Sequence, residues 1–467
     1  MHFNTECHTV LATLKDERLS DEGSAMTQPS DSVAPAPAPP TDVFADAEDF
    51  IEEASGQDDP PPLVTGTPKR LLGWIVPANF SVFMIWGAVG GLLMPLQVQT
   101  LGEADKVGNL AVVGTFGALA ALLAQPIAGQ ISDRTRSRFG RRAPWLVLGA
   151  LVGGLGLLAM GFANSLVGIV IGWVIVQVAY NFAQGPLSAI MPDRVPRALR
   201  GTFAALSGLG LMLGALGGSV VGAQFASSIQ LGYLVFGGFT LLVLTLFVVF
   251  NPDHSSKDLV KEPFSVGEFL RTFWVSPRKH PDFFWAFTGR LLLYTGYFAV
   301  TGYQLFILQD YIGLGQAGAV AAVPLFSLIS LAGVLLATLV SGPLSDRFQR
   351  RKVFVFLSSA LVGLALLIPM ALPSFAGWAI FTFVSGLGFG MFQAVDTALM
   401  SEVLPSAKSF AKDLGVVNIA ATLPQTLAPA FAGLIILSFG GYIALFPVGI
   451  VLSILGACAV WPIKAVR

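Results

Sequence analysis

Long apolar runs separated by short polar stretches dominate the chain from Leu72 onward. A helix that crosses the hydrocarbon core of a bilayer needs roughly 20 mainly apolar residues. Runs of that length lie at about 72–98, 108–131, 144–163, 166–190, 201–224 and 229–250. After a polar stretch of about 32 residues, six more follow at about 283–309, 318–341, 353–372, 376–400, 415–438 and 441–462. The pattern predicts an all-α membrane protein with twelve transmembrane helices. An N-terminal six-helix bundle over 69–250 and a C-terminal one over 283–467 flank a central loop over 251–282. Residues 1–68 differ in kind. They are rich in Asp, Glu, Ala and Pro, include the run APAPAPP at 34–40, and hold no apolar segment long enough to fold. That composition predicts a disordered tail. It lacks the charged-then-apolar order of a signal peptide, and Met26 is a second candidate start.

Basic residues sort to one side. Alternate loops carry Arg134, Arg136, Arg138, Arg141 and Arg142, then Arg194, Arg197 and Arg200, then Lys257, Lys261, Arg271, Arg278 and Lys279. The next two carry Arg347, Arg350, Arg351 and Lys352, then Lys408 and Lys412, while the six opposite loops share one basic residue, Lys106. Cytoplasmic loops hold the excess of Lys and Arg. Both termini and the 251–282 loop are therefore expected in the cytoplasm of a multi-pass plasma-membrane protein, such as one of a bacterial inner membrane.

Composition agrees with a lipid solvent. Charged residues make up 12% of the chain, half the level of about a quarter that soluble domains carry. The net charge of -1 gives no sign of a nucleic-acid partner. Cys7 and Cys458 stand at opposite ends, and His2, His8, His254 and His280 are scattered, so neither a disulfide framework nor a metal site is expected. No nucleophile elbow, phosphate loop or cofactor motif points to an enzyme, and no cofactor is expected.

The two halves repeat. SDR at 132–134 returns at 345–347, the arginine pair 141–142 returns at 350–351, Gln184 matches Gln393, and Pro196 matches Pro405. The offset is 213 at the first anchor and 209 at the later three. Parallel six-helix halves related by an axis along the membrane normal are the major facilitator architecture, with substrate bound between them near the midplane.

Three segments carry a family resemblance: QPIAGQISDRTRSRFGRRAPW at 125–145, LLMPLQVQTLG at 92–102 and NFAQGPLSAIMPD at 181–193. The first resembles the helix 2–3 signature of major facilitators. Together they are most similar to the sucrose-transporter and glycoside-pentoside-hexuronide groups. The resemblance implies cytoplasmic latches that hold one conformation and release in the other, built from Asp133, Arg134, Arg141, Arg142 and Asp193 and, in the second half, from Asp346, Arg347 and Glu402. Gly129 is expected to allow a neighbouring helix backbone to come close. Plain positive-inside topology is the competing account of the arginines. Sucrose porters carry a sugar-binding arginine and a carboxylate in the fourth helix; Ser188 and Gln177 stand in those places here. With no charged residue in the first six spans, a coupling acid is expected in the C-terminal half.

Polar residues inside a bundle face a cavity or a partner, because lipid cannot satisfy them. The fourth span sets Gln177, Asn181, Gln184 and Ser188 on one helical face; the seventh sets Arg290, Tyr294, Tyr297, Thr301 and Gln304. Asn79, Phe83, Trp86 and Gln97 share a face of the first span, and Gln393 and Asp396 lie in the tenth. By resemblance these four spans line the central path. Amides with Trp and Tyr suit a neutral, hydrogen-bonding solute; the competing role is interhelical bonding. Arg290 and Asp396 lie at matching depths, with Asp310 near the outer end of the seventh span, and a charge at such depth needs a partner or a function. Snorkelling to the interface is the alternative.

The combined reading is a monomeric secondary transporter that moves a small polar solute, of the sugar or glycoside class, by alternating access, with a proton as the expected co-substrate. Efflux of a drug or metabolite on the same fold is the first rival, and a non-transporting membrane receptor the second.

Overall fold

The computed structural model describes residues 68–196, 199–257, 278–348, 350–403 and 410–464; within these, the side chains of residues 397–398, 401, 410–419, 421–422 and 426, and those of Asp346 and Glu402, fall outside the described set. The tail over 1–67 and most of the 251–282 loop lie outside it as well. Among the described residues every regular element is helical. Helix α1 runs from Pro68–Ile85 through a π-helical segment, Trp86–Leu93, into Met94–Thr100. Then come α2 (Lys106–Arg134), α3 (Ala143–Gly161), α4 (Leu166–Arg194), α5 (Arg200–Gln224) and α6 (Ile229–Phe250). Helix α7 (Pro281–Thr301) breaks at Gly302 and Tyr303, resumes at Gln304 and bends by 44° before ending in a π-helical turn, Ile307–Tyr311. The series closes with α8 (Gly315–Phe348), α9 (Arg351–Ala365, extended by Leu367–Ala371), α10 (Phe375–Glu402), α11 (Phe410–Phe439) and α12 (Leu445–Cys458).

Nine helices among the described residues are long and apolar enough to cross a membrane, or ten with bent α7 counted as one span. Leu427–Phe439 and Tyr442–Cys458 are shorter apolar helices. Leucines such as Leu123, Leu155, Leu242 and Leu339 point outward, which water would not tolerate in such numbers and lipid does. Small residues bring helices together. Gly210, Gly214, Gly218 and Gly222 form a ladder on α5, and a Cβ at Gly214 would lie 2.5 Å from the Phe80 carbonyl oxygen of α1.

Three apolar clusters divide the interior. One belongs to the N-terminal half (Ile75, Leu146, Leu187, Phe247) and one to the C-terminal half (Phe283, Val355, Phe392, Val460). Both lie toward the face that carries the arginine-rich loops, hereafter the basic face. The third draws on both halves, with Val107 and Leu110 of α2 beside Tyr303 of the α7 break and Ile435 and Ile436 of α11. Across the halves, α2 packs on α11 and α5 on α8. The halves therefore share one core at the face opposite the basic loops and keep separate cores at the basic face.

Candidate functional site

At the basic face, α2 ends at Arg134 and the chain turns through Gly140, whose φ of 86° suits glycine. A Cβ there would run into the Asp253 carboxylate. The turn delivers Arg142 to the N-terminus of α3, where its guanidinium gathers three groups. Nε meets Asp193 Oδ2 at 2.8 Å, Nη1 donates to Ser132 Oγ at 3.0 Å, and Nη2 meets Asp133 Oδ1 at 2.5 Å. Arg141 Nη2 adds a second contact to Asp193 at 2.6 Å. The Arg142 side chain is 7% exposed and Asp133 is 47% exposed, so burial puts the fixed charge on the arginine. Arg134 is half-buried at the end of α2, and Arg347 is exposed at the end of α8. Gly129 departs from expectation: a Cβ there would meet nothing within 4 Å. The nearby approach of α4 is through Gly185, which stays at ordinary van der Waals distance, so no backbone crossing depends on Gly129.

Sequence reasoning missed that the start of the central loop docks here. Ser256, buried, donates from Oγ to the Thr135 carbonyl at 3.0 Å and accepts from Ser137 N at 3.0 Å. Arg194 holds the Asn251 and Pro252 carbonyls. Nothing in the spacing of the loop signalled this, since the contacts are largely to backbone.

In the interior the predicted stripes divide. On α1 and α4 most amides serve the protein. Asn79 donates to the Ile75 carbonyl and Asn181 to the Gln177 carbonyl, each within its own helix. Gln97, expected to face the cavity, is buried instead, donating to the Met160 carbonyl at 2.6 Å and accepting from the Tyr233 hydroxyl at 2.9 Å. It ties the end of α1 to α3 and α6. Gln177 is buried with its Cγ near Gly117 of α2, Gln184 is half-buried, and Trp86 stands edge-on to Trp173 and Tyr180 at the start of the π segment.

On α7 and α10 the predicted residues come together. Tyr294 donates to Gln393 Oε1 at 3.2 Å, and Tyr297 stacks on Phe389 at 4.5 Å with an interplanar angle of 13°. Arg290 Nε lies 3.4 Å from Asp396 Oδ2 and its guanidinium carbon 5.6 Å from the Tyr294 ring centre. Neither Arg290 Nε nor Asp396 Oδ2 has an aligned hydrogen bond, so the contact is one of charge alone. The Asp396 side chain is 4% exposed, and among the described residues Arg290 is the cation that faces it. Gln304 is half-buried in the turn after the α7 break.

At the face opposite the basic loops, Asp310 lies within a network that sequence reasoning did not assemble. Lys106 Nζ meets Asp310 Oδ1 at 2.9 Å, Glu103 Oε1 at 2.5 Å and Gln309 Oε1 at 3.5 Å. The Tyr442 hydroxyl donates to Asp310 Oδ2 at 2.7 Å, and the Gln309 amide donates to Gln99 Oε1 at 3.2 Å. Lys106 and the Gln99 amide, which donate to Glu103, hold its carboxyl below the ordinary range. One signal was available: Lys106 is the lone basic residue of its loops.

Residues 75–337 and 325–466 match the Major Facilitator Superfamily. The chain belongs to that superfamily. It is a multi-pass membrane transporter and not an enzyme. Transporters of known structure share the fold. The nucleoside transporter NupG superposes with a TM-score of 0.66 at 16% identity, covering 84% of this chain and 98% of that one. A POT family transporter in complex with 5-aminolevulinic acid gives 0.65 at 13%, covering 84% and 95%. In sequence, this major facilitator is similar to the sucrose transport protein SUC4 of Arabidopsis thaliana, 30% identical over 176 residues, or 33% of this chain and 34% of that protein. The sucrose transport protein SUT3 of Oryza sativa subsp. japonica is 27% identical over 160 residues, covering 29% of this chain and 31% of that protein. The chain thus aligns with about a third of the length of these relatives.

Proposed function

We propose that this major facilitator is a monomeric, twelve-span, proton-coupled transporter of a small polyhydroxylated solute, of the sugar or glycoside class, in a plasma membrane. The basic face lies in the cytoplasm, with both termini. The observation that carries the reading is the arrangement on α7 and α10. Arg290 and Asp396 supply donors and an acceptor, Tyr294 and Gln393 add a hydroxyl and an amide, and Tyr297 on Phe389 offers an aromatic face. Hydroxyl-rich solutes need all three kinds of contact, whereas an apolar drug needs few polar groups. The similarity to sucrose transport proteins supports the class and bears on a third of the chain. Asp396 is the coupling acid in this reading. Its protonation releases Arg290 for the solute, and the basic-face charges Asp133, Arg142 and Asp193, with their counterparts Asp346, Arg347 and Glu402, latch the cytoplasmic side in the other state.

Uptake into proteoliposomes, run over a panel of sugars and glycosides with pH and sodium gradients varied separately, tests the reading. Accumulation of a panel member driven by the proton gradient is expected. If no sugar accumulates under either gradient while apolar compounds are expelled, the efflux reading replaces this one. For orientation, an impermeant thiol reagent applied to intact cells should label Gln230→Cys and spare Ser255→Cys, both of which are exposed positions. The reverse pattern would invert the topology.

A further inference from the structure

Superfamily members work by exposing a central site to one side and then the other, so the contacts that join the two halves in one state must break in the next. We infer that Lys106 and Asp310 form an ionic lock that holds shut the face opposite the basic loops, with Tyr303 as its second catch. The inference rests on the alternating-access part of the reading above and is independent of the solute and the coupling ion.

Three observations carry it. First, the pairing crosses the halves: Lys106 opens α2 and Asp310 lies in the last turn of α7. The Lys106 side chain is 6% exposed, and its three N–H donors are taken up by Glu103, Asp310 and Gln309. Phe306 covers it at 5.1 Å. A cation so withdrawn from water depends on its partners. Second, the Tyr303 hydroxyl sits 3.1 Å from the Val107 carbonyl of α2 and 3.1 Å from the Pro429 carbonyl of α11, and so bridges the halves where α7 breaks. Third, the backbones meet closely under the lock. A Cβ at Gly433 of α11 would collide with Ala111 of α2 and come within 2.6 Å of the Tyr303 hydroxyl oxygen, and a Cβ at Gly114 would lie 2.8 Å from Pro429.

At the basic face the Arg141 and Arg142 ion pairs stay within the N-terminal half, and the Arg290 pair stays within the C-terminal half. The bent outer piece of α7 carries Gln309 and Asp310. Opening must pull that piece away from α2 and expose Lys106 to water, which gives Lys106 and Asp310 a direct hold on the equilibrium between the two states. Both are positioning residues, with no contact to the solute.

The test reads accessibility at both faces and needs no substrate. On a background with Cys7 and Cys458 replaced by Ser, one reporter is Leu110→Cys, on the buried stripe of α2 that includes Lys106. The other is Ser188→Cys, on α4 toward the basic face. Asp310→Asn should raise the labelling rate at position 110 by about 5-fold or more and lower that at 188, the size of a typical coupling between states. The charge swap Lys106→Asp with Asp310→Lys should return both rates toward the parent values, and Tyr303→Phe should shift them the same way as Asp310→Asn by less. Because only the lock should move the two reporters in opposite directions, a general loosening of the fold would raise both. Unchanged rates in Asp310→Asn, a rise at both positions, or a charge swap no better than the single variants would each overturn the lock. A normal lock in a protein that accumulates no sugar would overturn only the solute class proposed above.

Discussion

Ser165 caps α4 by accepting from Gly168 N, and at the repeat offset Ser374 caps α10 by accepting from Gly377 N. Both serines sit in extended backbone at the start of helices of nearly equal length. Further along the same two helices the likeness ends. Helix α4 presents Gln177 and Asn181, the latter satisfied by its own backbone, whereas α10 presents Gln393, which accepts from Tyr294, and Asp396, which faces Arg290. The caps are kept in duplicate, and the Arg290–Asp396 pair stands on one copy. A bundle can do this because caps and helix-packing residues fix where a helix starts and leans, while the residues at mid-helix are free to change as long as each buried polar group finds a partner.

The largest effect that can break this comparison lies at Asp396. Asp396→Asn should abolish gradient-driven accumulation while sparing exchange of labelled for unlabelled solute, since exchange needs no net proton movement. Persistent accumulation in proteoliposomes would remove Asp396 from the coupling role and return the two halves to equal standing. The next effect is at the basic face of the N-terminal half. Arg142→Ala removes the buried guanidinium that joins Ser132, Asp133 and Asp193, leaving Asp193 to Arg141 alone, and should cost about 2 kcal/mol, read as a fall in the melting temperature of the purified protein. Asp133→Asn, at an exposed position, should leave that temperature nearly unchanged and lower turnover about tenfold, within the range of state-to-state coupling. Loss of turnover with an equal loss of stability would mean that Asp133 only supports the fold. Third, Tyr294→Phe removes the bond to Gln393, worth about 1 kcal/mol, and should raise KM by about 5-fold. Asn181→Ala should move KM less, because the solute contacts proposed above lie on α7 and α10; a larger effect from Asn181 would shift the site toward the N-terminal half.

What could be read from the sequence follows from what acts locally. Helix positions were legible because each span needs its own stretch of apolar residues, and Asp193 could be paired with the arginines at 141–142 because both stand at helix ends on one face. Gln97 misled because helical periodicity says which side of a helix a residue is on, and both a cavity and the end of a neighbouring helix can lie on that side. Gly129 misled because an absent Cβ permits close approach without requiring it. The Lys106 network stayed hidden for a different reason. Its members come from the ends of α1, α2 and α7 and from the turn before α12, and the partners of a lone charge are set by how the halves meet, which no local pattern encodes. The break in α7 was also silent, since Gly302 and Tyr303 lie inside the single stretch 283–309 that is long enough to span.

The smallest effect is the sharpest test of the shared frame. An N-cap serine satisfies one of the backbone N–H groups that the first turn of a helix leaves without an internal partner. Ser165 and Ser374 do this with similar geometry, accepting from glycine N–H at 3.2 and 3.1 Å. Replacing either with Ala removes the acceptor and should cost about 1 kcal/mol. In a chain of this size that is a drop of about 1 °C in melting temperature. The caps stand on different helices and share no partner, so the double variant should lose the sum of the two single losses. Neither substitution should alter KM or the dependence of uptake on pH, because the caps lie at the helix ends far along the chain from Gln177 and Asp396. Thermal unfolding of the two single variants and the double one, paired with uptake assays, checks both parts. A cost at Ser374 several times that at Ser165 would show that the two halves differ in their frame as well as in their chemistry.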